Sequence, residues 1–338
     1  MAQQRADDEH SMRAVICERY GPPEVLENRV VPRPRPGADE VLIRIHATSV
    51  TQADARMRGF RVPPSTWIPA RLMLGVFRPR RQVLGSELAG VVQQVGDAVQ
   101  RFAVADRVYA STAIGHGGGT HAEYICMPED HLVEHMPTNL TFEQAAVIPF
   151  GGRAALHFLR LAGVGAGQRV LINGASGCLG TYAVQLARHF GAHVTGVCSA
   201  KNAELVRSLG AEEVIDYTQE DFTARTEQYD IVFDTVGLAP PRGCIRALVP
   251  GGAYINAVSS LDVALRTWWW SLGTGKRTLG GVTGDNPEYL AELKALAEAG
   301  AVQPVISQRF TLEQIHEAHR VVDSGHKVGN VVVVVVTE

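Results

Sequence analysis

Residues 169–191 read RVLINGASGCLGTYAVQLARHFG, and this stretch decides the fold. Residues 169–173 form an apolar run typical of a buried strand, and the residues from 181 onward have the pattern of a helix. Between them, residues 174–180 fit the glycine-rich pattern A-x-G-x-x-G, with one extra glycine in front. The start of a helix has backbone N–H groups without partners and a positive partial charge. The turn is therefore predicted to hold a pyrophosphate group.

The two later glycines of this turn have separate expected roles. Gly177 lets the backbone approach the phosphates, and Gly180 lets the helix pack closely on the strand. The predicted cofactor contacts in the turn are Gly174, Ala175, Ser176, Gly177, Cys178, Leu179 and Gly180.

The second half of the chain alternates between strand and helix patterns. Because the strand segments are continuously apolar, the alternation predicts a parallel sheet covered by helices on both faces, a doubly wound Rossmann unit of the α/β class. The turn then follows the first strand, where such folds bind a dinucleotide. The further strands are predicted at 193–198, 213–217, 230–234, 252–257 and 278–284.

Short β-like segments fill the first half of the chain, from Arg13 to about residue 136, and indicate a mostly β domain. The C-terminal stretch returns to β character, and its VVVVVV run (331–336) is predicted to be a buried strand that rejoins the first domain. The sequence therefore predicts a Rossmann unit inserted into a mostly β domain. The predicted parts are a disordered tail at 1–11, a β domain at 12–138 and 302–338, and a cofactor domain at 139–301.

The composition excludes several function classes. A hydrophobic content of 46%, a charged content of 20% and a net charge of −3 lack the basic excess of a nucleic-acid binder, and Lys and Arg are dispersed along the chain. The N-terminus has no signal-peptide pattern and no apolar run is long enough to span a bilayer, so no membrane partner is expected. The five cysteines are widely separated, which predicts reduced packing residues in a cytoplasmic protein.

The end of the second Rossmann strand indicates which dinucleotide binds. NAD-specific folds place a carboxylate there to bond the ribose hydroxyls, whereas this chain has Ser199 and Lys201. A hydroxyl and an ammonium group favour a 2′-phosphate, so NADPH is the predicted cofactor, with Tyr217 flanking the same phosphate. In the alternative interpretation Lys201 is a solvated surface residue and Glu204 reaches the ribose.

Several motifs together resemble the zinc-independent quinone oxidoreductase-like branch of the medium-chain dehydrogenase/reductase superfamily. The resemblance covers nearly the whole chain from Met12, and it implies a GroES-like catalytic domain, a Rossmann domain, a cleft between them and a homodimer. It is carried by YGPPEVL (20–26), HATSVTQADARMRG (46–59), VLGSELAGVV (83–92), AEYICMPE (122–129), FGGRAAL (150–156), GASGCLGTYAVQLA (174–187), FDTVG (233–237) and GHKVGNVVV (325–333).

Zinc-dependent relatives have Gly-His-Glu where this chain has Gly-Ser-Glu, so Ser86 stands in place of a ligand histidine. Their catalytic cysteine is replaced near Thr51, and the four closely spaced cysteines of a structural zinc lobe are missing between Cys17 and Cys126. The resemblance therefore implies metal-free hydride transfer from NADPH to a quinone or an α,β-unsaturated carbonyl compound, because hydrogen bonds suffice to stabilise the delocalised oxyanion.

The resemblance also implies which residues line the cleft. Thr51, Arg56 and Arg153 replace residues that are often Asn, Tyr and Thr in relatives, and they are the predicted catalytic residues. The two arginines favour an acidic substrate or a developing enolate. In the alternative interpretation each is a solvated surface arginine. The predicted neighbours of the nicotinamide carboxamide are Val258 and Ser259, and Asn330 is predicted to reach the cofactor or substrate.

Two alternatives to a quinone or enone reductase stay open. The replacements at Thr51 and Arg56 also suit a non-catalytic, NADPH-binding structural protein, and the fold equally suits a biosynthetic enoyl or carbonyl reductase with one dedicated substrate. The adjacent tryptophans of TWWW (267–270) cannot share one helix face, so some are predicted to meet a substrate, a partner chain or the other domain. Partial burial under a loop is the alternative.

Overall fold

The computed structural model describes residues 10–112, 118–258 and 261–336. A small two-stranded antiparallel sheet opens the chain, formed by β1 (Ser11–Cys17) and β2 (Leu26–Pro32). The first strand begins at Ser11, one residue before the predicted start of ordered chain. Residues 1–9 of the predicted tail lie outside the described residues.

A seven-stranded sheet unites segments from both ends of the chain. Its C-terminal strand pairs antiparallel with its N-terminal one, with Val332 opposite Ser49. The predicted return of the C-terminus to the first domain is thereby confirmed, and Val331, Val332 and Val333 are fully buried as expected. The strands are β3 (Glu40–Ser49), β4 (Glu87–Val95), β5 (Arg107–Ser111), β6 (Tyr124–Pro128), β7 (Val133–His135), β14 (Ile306–Thr311) and β15 (Asn330–Val334).

The second large sheet has six strands, all parallel, in the order β10-β9-β8-β11-β12-β13. This is the strand order of a doubly wound dinucleotide-binding fold, which confirms the predicted α/β class. The last strand is shorter than predicted, because Gly281 takes a φ of 123° and the chain leaves the sheet after Gly280. The strands are β8 (Arg169–Asn173), β9 (His193–Cys198), β10 (Glu213–Asp216), β11 (Tyr229–Asp234), β12 (Leu248–Asn256) and β13 (Arg277–Gly280).

Ten α-helices of the described residues surround the sheets. The long helix before the first Rossmann strand shows why their ends are where they are. It begins with Pro149, whose missing N–H costs nothing at a first helical position, and it ends at Gly163, which has a φ of 76°. The helices are α1 (Gln52–Gly59), α2 (Trp67–Leu74), α3 (Phe142–Ala146), α4 (Pro149–Ala162), α5 (Cys178–His189), α6 (Ala203–Ser208), α7 (Pro241–Ala247), α8 (Leu261–Ser271), α9 (Glu288–Glu298) and α10 (Ile315–Asp323).

The two large sheets share one hydrophobic core. The same buried cluster contains Ala89 and Tyr109 from the seven-stranded sheet and Ile172 and Phe233 from the six-stranded one. The two units are therefore packed against each other rather than merely tethered. We propose that the chain passes between them near residues 138 and 302.

Candidate active site

The glycine-rich turn lies at the point where the order of the Rossmann strands reverses. It follows β8, which has β9 on one side and β11 on the other. Gly174 has a φ of 77°, and Gly177 is the N-cap of α5. No side chain of the described residues caps that helix, so its N-terminus is open to a ligand. Such a helix start at a strand-order reversal is a binding place for a pyrophosphate.

The two later glycines of the turn differ in what surrounds them. A Cβ atom on Gly180 would lie 2.1 Å from the carbonyl oxygen of Gly174 and 2.8 Å from the Cα atom of Ala175. A Cβ atom on Gly177 would meet only the Gly174 oxygen, at 3.3 Å. Packing of helix on strand therefore requires Gly180, whereas the space beside Gly177 is open.

Two other segments hold the turn. The backbone N–H of Gly329 donates to the carbonyl oxygen of Ser176 at 2.8 Å. The Asn202 amide donates to the Ser176 hydroxyl at 3.1 Å and to the Ser199 hydroxyl at 3.4 Å. Sequence reasoning missed Asn202, although it stands next to Lys201 at the end of β9. Its amide joins the turn to the site predicted for the 2′-phosphate.

The residues predicted to select the dinucleotide gather at the ends of β9 and β10. The backbone N–H of Tyr217 donates to the carbonyl oxygen of Cys198 at 3.2 Å, which places Tyr217 beside the end of β9. Its ring is 55% exposed, and Lys201 is exposed on a short 3₁₀ turn directly after Ser199. Glu204 is exposed in the first turn of α6. The end of β9 thus presents a cation and hydroxyl groups, and the neighbouring Asp216 of β10, opposite Cys198, accepts the backbone N–H and hydroxyl of Thr218.

The loop after β12 stands beside the loop after β11. The backbone N–H of Val258 donates to the Asn256 side chain at 2.9 Å, and the Val258 side chain packs over Gly237. The Asp234 carboxylate shapes the second loop by accepting the backbone N–H of Gly237 at 2.9 Å. Ser259 lies outside the described residues.

The C-terminal motif GHKVGN contains the predicted contact Asn330 and a second polar residue, Lys327. Asn330 is buried, and its side-chain amide donates to the carbonyl oxygen of Val305 at 3.1 Å. Lys327 is half-buried, and its charge lowers the pKa of both Glu87 and the Cys178 thiol, although burial raises both overall. The role of Asn330 stays a prediction, and Lys327 is a further residue of the motif whose charge acts on the start of α5.

A buried hydrogen-bond network joins α1 to β4. The Asp54 carboxylate accepts the Thr51 backbone N–H at 2.7 Å, the Thr51 hydroxyl at 2.6 Å and the Ser86 hydroxyl at 2.6 Å. All three residues are buried, and Thr51 with Asp54 forms the capping box of α1. Asp54 was missed by sequence reasoning, although T-x-x-D at a helix start is a recognisable capping signal.

Glu87 links this network to the start of α4. Its carboxylate accepts the Ser49 hydroxyl and, at 2.7 Å, the backbone N–H of Phe150 in the first turn of the helix. Burial raises the pKa of Glu87 to about 7, although these two hydrogen bonds and the charge of Lys327 oppose the rise. Glu87 therefore joins the seven-stranded sheet to α4, the helix that packs on α5.

The two predicted catalytic arginines have different surroundings. Arg56 is half-buried on α1, burial lowers its pKa, and it forms no ion pair with any described residue. Arg153 is buried, so the surface alternative is wrong for this residue. Its guanidinium donates to the carbonyl oxygen of Gly284 at 2.7 Å and lies 3.7 Å from the Asp285 carboxylate. The Nε atom of Arg153 is buried without a partner among the described residues.

The protein side chains show no arrangement for a metal ion in the described parts of the chain, where no group of three or more His, Cys, Asp or Glu residues could hold one. The five cysteines are all free thiols.

Comparison with known proteins gives the family. The chain matches the sequence model of the alcohol dehydrogenase GroES-like domain over residues 37–138 and that of the zinc-binding dehydrogenase over residues 209–333. It is 32% identical to the mitochondrial NAD(P)H oxidoreductase RTN4IP1 of Mus musculus, covering 96% of this chain and 89% of the relative. It is also 32% identical to the chloroplastic NADPH-dependent alkenal/one oxidoreductase of Arabidopsis thaliana, covering 95% of this chain and 79% of the relative.

A solved structure agrees with these matches. The quinone oxidoreductase from Coxiella burnetii superposes with a TM-score of 0.86 at 29% identity, and the match covers 96% of this chain and 100% of that one. The chain therefore belongs to the medium-chain dehydrogenase/reductase superfamily. Within it the chain is a quinone oxidoreductase-like protein, and the resemblance seen in the sequence motifs is confirmed.

Proposed function

We propose that this chain transfers hydride from NADPH to a quinone or an α,β-unsaturated carbonyl compound without a metal ion. The observation that carries the proposal is the Thr51–Asp54–Ser86 network. Both hydroxyls stand where the resemblance places zinc ligands, and both donate to one buried carboxylate. Zinc sites are built from thiolate, imidazole and carboxylate ligands, and two hydroxyls engaged in this way are poor substitutes.

The described residues fit NADPH. The open N-terminus of α5 suits a pyrophosphate, and the exposed ammonium of Lys201 next to Ser199 suits a 2′-phosphate. Tyr217 stands at the same strand edge, and Val258 with Ser259 is proposed to flank the carboxamide. Asn330 stays a proposed neighbour of the cofactor or substrate, and Lys327 is proposed as a second one, because its charge lowers the pKa of the Cys178 thiol at the start of α5. When bound, the cofactor supplies the hydride.

The arginines are proposed to stabilise negative charge on the substrate oxygen. A guanidinium group that is desolvated and fixed in place attracts a developing oxyanion more strongly than a hydrated one does. Arg56 has no anionic partner among the described residues, and Arg153 is fixed by Gly284 with its buried Nε atom unpartnered. These features support a substrate that becomes anionic at oxygen, as a quinone or an enone does.

Loss of NADPH absorbance with a panel of quinones, enones and simple alcohols tests the proposal, using protein treated with a chelator. Turnover of quinones or enones that survives chelation is the expected result. Turnover of alcohols alone, and only after zinc is added, would overturn it. Tight NADPH binding without turnover of any compound would instead favour the non-catalytic alternative.

The contribution of Arg56 has its own measurement. Arg56→Gln is expected to lower kcat while leaving NADPH affinity unchanged, because the residue is proposed to act on the substrate. Arg35→Gln, a change at an exposed arginine between β2 and β3, is the matched control and should leave kcat unchanged.

A further inference from the structure

Helix α2 presents an apolar face to solvent. Ile68, Leu72 and Met73 are 68%, 60% and 56% exposed, and the helix buries none of its residues. Its one charged side chain, Arg71, turns the other way and stacks 3.8 Å above the ring of Phe60. A surface helix of a globular protein normally shows the opposite arrangement, with charged side chains outward and apolar ones inward.

Helix α8 also presents apolar side chains to solvent. Leu265, Trp268, Trp269 and Leu272 follow the spacing i, i+3, i+4, i+7, and each of them is more than half exposed, from 51% for Leu272 to 68% for Trp269. Thr267 on the other side of the helix is buried. The three tryptophans of TWWW are only partly buried, with Trp270 37% exposed, so both sequence interpretations stay open. An apolar helical stripe of this kind normally covers a core or a partner.

The turn that leads into α2 contacts the start of α8. The Ser65 hydroxyl, just before α2, donates to the Asp262 carboxylate in the first turn of α8 at 2.8 Å. Phe77, three residues after the end of α2, is 91% exposed as well. We call residues 67–77 together with 265–272 the tryptophan surface. Exposed apolar side chains on this scale mark an interaction site.

The segment that contains α2 is rich in arginine. Residues 55–86 contain seven arginines and neither aspartate nor glutamate, although Arg58 and Arg61 are paired with Asp323. In α8, Arg266 lies 3.7 Å from the Asp262 carboxylate of the same helix, and residues 263–284 add Lys276 and Arg277 with no further acidic residue. Lys and Arg are dispersed along the sequence, but the fold brings these segments together. The whole chain has a net charge of −3, so this basic character is local.

A shallow depression joins the apolar and the basic groups. It is lined by Gly75, Val76, Phe77, Arg78, Pro79, Arg80 and Gln82 and has a volume of ≈ 400 Å³. Arg78 and Arg80 are exposed and form no ion pair with any described residue. A guanidinium group without a protein partner, beside an exposed phenyl ring, suits a phosphate group attached to a hydrocarbon phase.

We propose that the tryptophan surface docks this protein on an anionic lipid bilayer. Tryptophan and phenylalanine side chains partition into the interface of a bilayer, and basic residues around them bind anionic headgroups. Within the part of the chain that the structure describes, no helix has the length and apolar character needed to cross a membrane. The proposal departs from the expectation, based on composition, that no membrane partner exists.

The charges disfavour a second copy of the chain as the occupant. A two-fold symmetric contact pairs the same surface with itself, so two surfaces that each carry the unpaired guanidinium groups of Arg78 and Arg80 would be brought together. Asp262 is the one acidic residue in α2 and α8, and it is already engaged by Arg266 and Ser65. The homodimer implied by the resemblance would then have to form through another surface.

The tryptophans allow a direct test, because all four of them, Trp67, Trp268, Trp269 and Trp270, lie on this surface. The full chain is mixed with vesicles of phosphatidylcholine alone or of phosphatidylcholine with phosphatidylglycerol, and tryptophan emission and co-sedimentation are recorded. A blue shift and co-sedimentation with the anionic vesicles, both weakened by high salt, are expected. Equal binding to both kinds of vesicle, or binding to neither, would overturn the proposal.

Variants separate the charged contribution from the apolar one. The double variant Arg78→Gln, Arg80→Gln is expected to bind anionic vesicles about 30-fold more weakly. Phe77→Ser with Trp269→Ser is expected to abolish the blue shift. The matched controls Arg35→Gln and Val104→Ser, at an exposed arginine and an exposed valine outside the surface, should bind as the unchanged protein does.

Circular dichroism and NADPH oxidation of each variant show that it is folded. A blue shift that depends on protein concentration without vesicles, together with a larger sedimenting species, would assign the surface to a second copy and overturn the proposal. Docking and catalysis are measured separately, so either can fail without the other.

Discussion

The Ser86 hydroxyl donates to the Asp54 carboxylate at 2.6 Å, and this bond fastens β4 to α1. The second oxygen of Asp54 accepts the backbone N–H and the hydroxyl of Thr51. All of these groups are buried, so each hydrogen bond is made where water offers no replacement. The polar groups of Thr51, Asp54 and Ser86 are therefore bonded to one another.

Removal of this carboxylate is expected to destabilise the fold. Asp54→Ala removes the capping box of α1 and leaves buried donors of Thr51 and Ser86 without an acceptor. The free energy of unfolding should fall by about 3 kcal/mol, measured by urea denaturation. Asp97→Ala, at an exposed turn, is the control and should change it little. Equal stability of the two variants would contradict the network.

The glycines of the turn give a matched pair of variants. Gly180→Ala forces a Cβ atom against the Gly174 oxygen and should lower the free energy of unfolding by about 2 kcal/mol or more. Gly177→Ala meets little inside the protein, so it should fold normally and yet bind NADPH more weakly. Calorimetric unfolding and NADPH titration measure the two effects. The control Gly165→Ala adds its methyl group to open space. Normal NADPH affinity in Gly177→Ala would argue against pyrophosphate binding at this turn.

Lys201 is expected to discriminate between the two nicotinamide dinucleotides. Lys201→Ala should weaken NADPH binding about tenfold, the loss of one charge-assisted contact at an exposed site, and leave NADH binding unchanged. Arg207→Ala removes an exposed cation from the same region and is the control. Equal losses for NADPH and NADH would show that Lys201 does not bind the 2′-phosphate.

Glu87 is expected to make stability depend on pH. Its pKa is raised from 4.5 to about 7 in the folded chain, so the folded state binds more protons than the unfolded state between these values. The contribution of Glu87 to stability is greatest below pH 4.5 and is lost as the pH rises toward 7. The stability of the unchanged protein minus that of Glu87→Gln should therefore fall between about pH 5 and about pH 8 in urea denaturation. Parallel pH profiles of the two proteins would contradict the raised pKa.

The fold was predictable because its decisive features are local in sequence. The apolar runs within β8 and β11 indicate that both strands are buried, and the glycines of residues 174–180 indicate a turn. The end of β13 was missed because it depends on the φ of Gly281, which an apolar run does not reveal.

Much of the site could not be predicted, because polar contacts between distant segments leave no periodic pattern. Asn202 donates to Ser176, and the charge of Lys327 acts on Glu87, only once the chain has folded. Nothing in the sequence around Arg153 tells whether its side chain is solvated or buried. The loop that contains Gly284 accepts a hydrogen bond from its guanidinium group, and this loop is far away in sequence. The basic character of the tryptophan surface likewise arises from two segments that are far apart in sequence.

Transfer of deuterium tests the central claim most directly. The metal-depleted protein is incubated with NADPH that carries deuterium at both C4 positions of the nicotinamide ring and with an α,β-unsaturated ketone, and the product is examined by mass spectrometry and NMR. Deuterium on the β-carbon of the saturated ketone is the predicted result. A product without deuterium, or deuterium transfer that appears only after zinc is restored, would contradict the account.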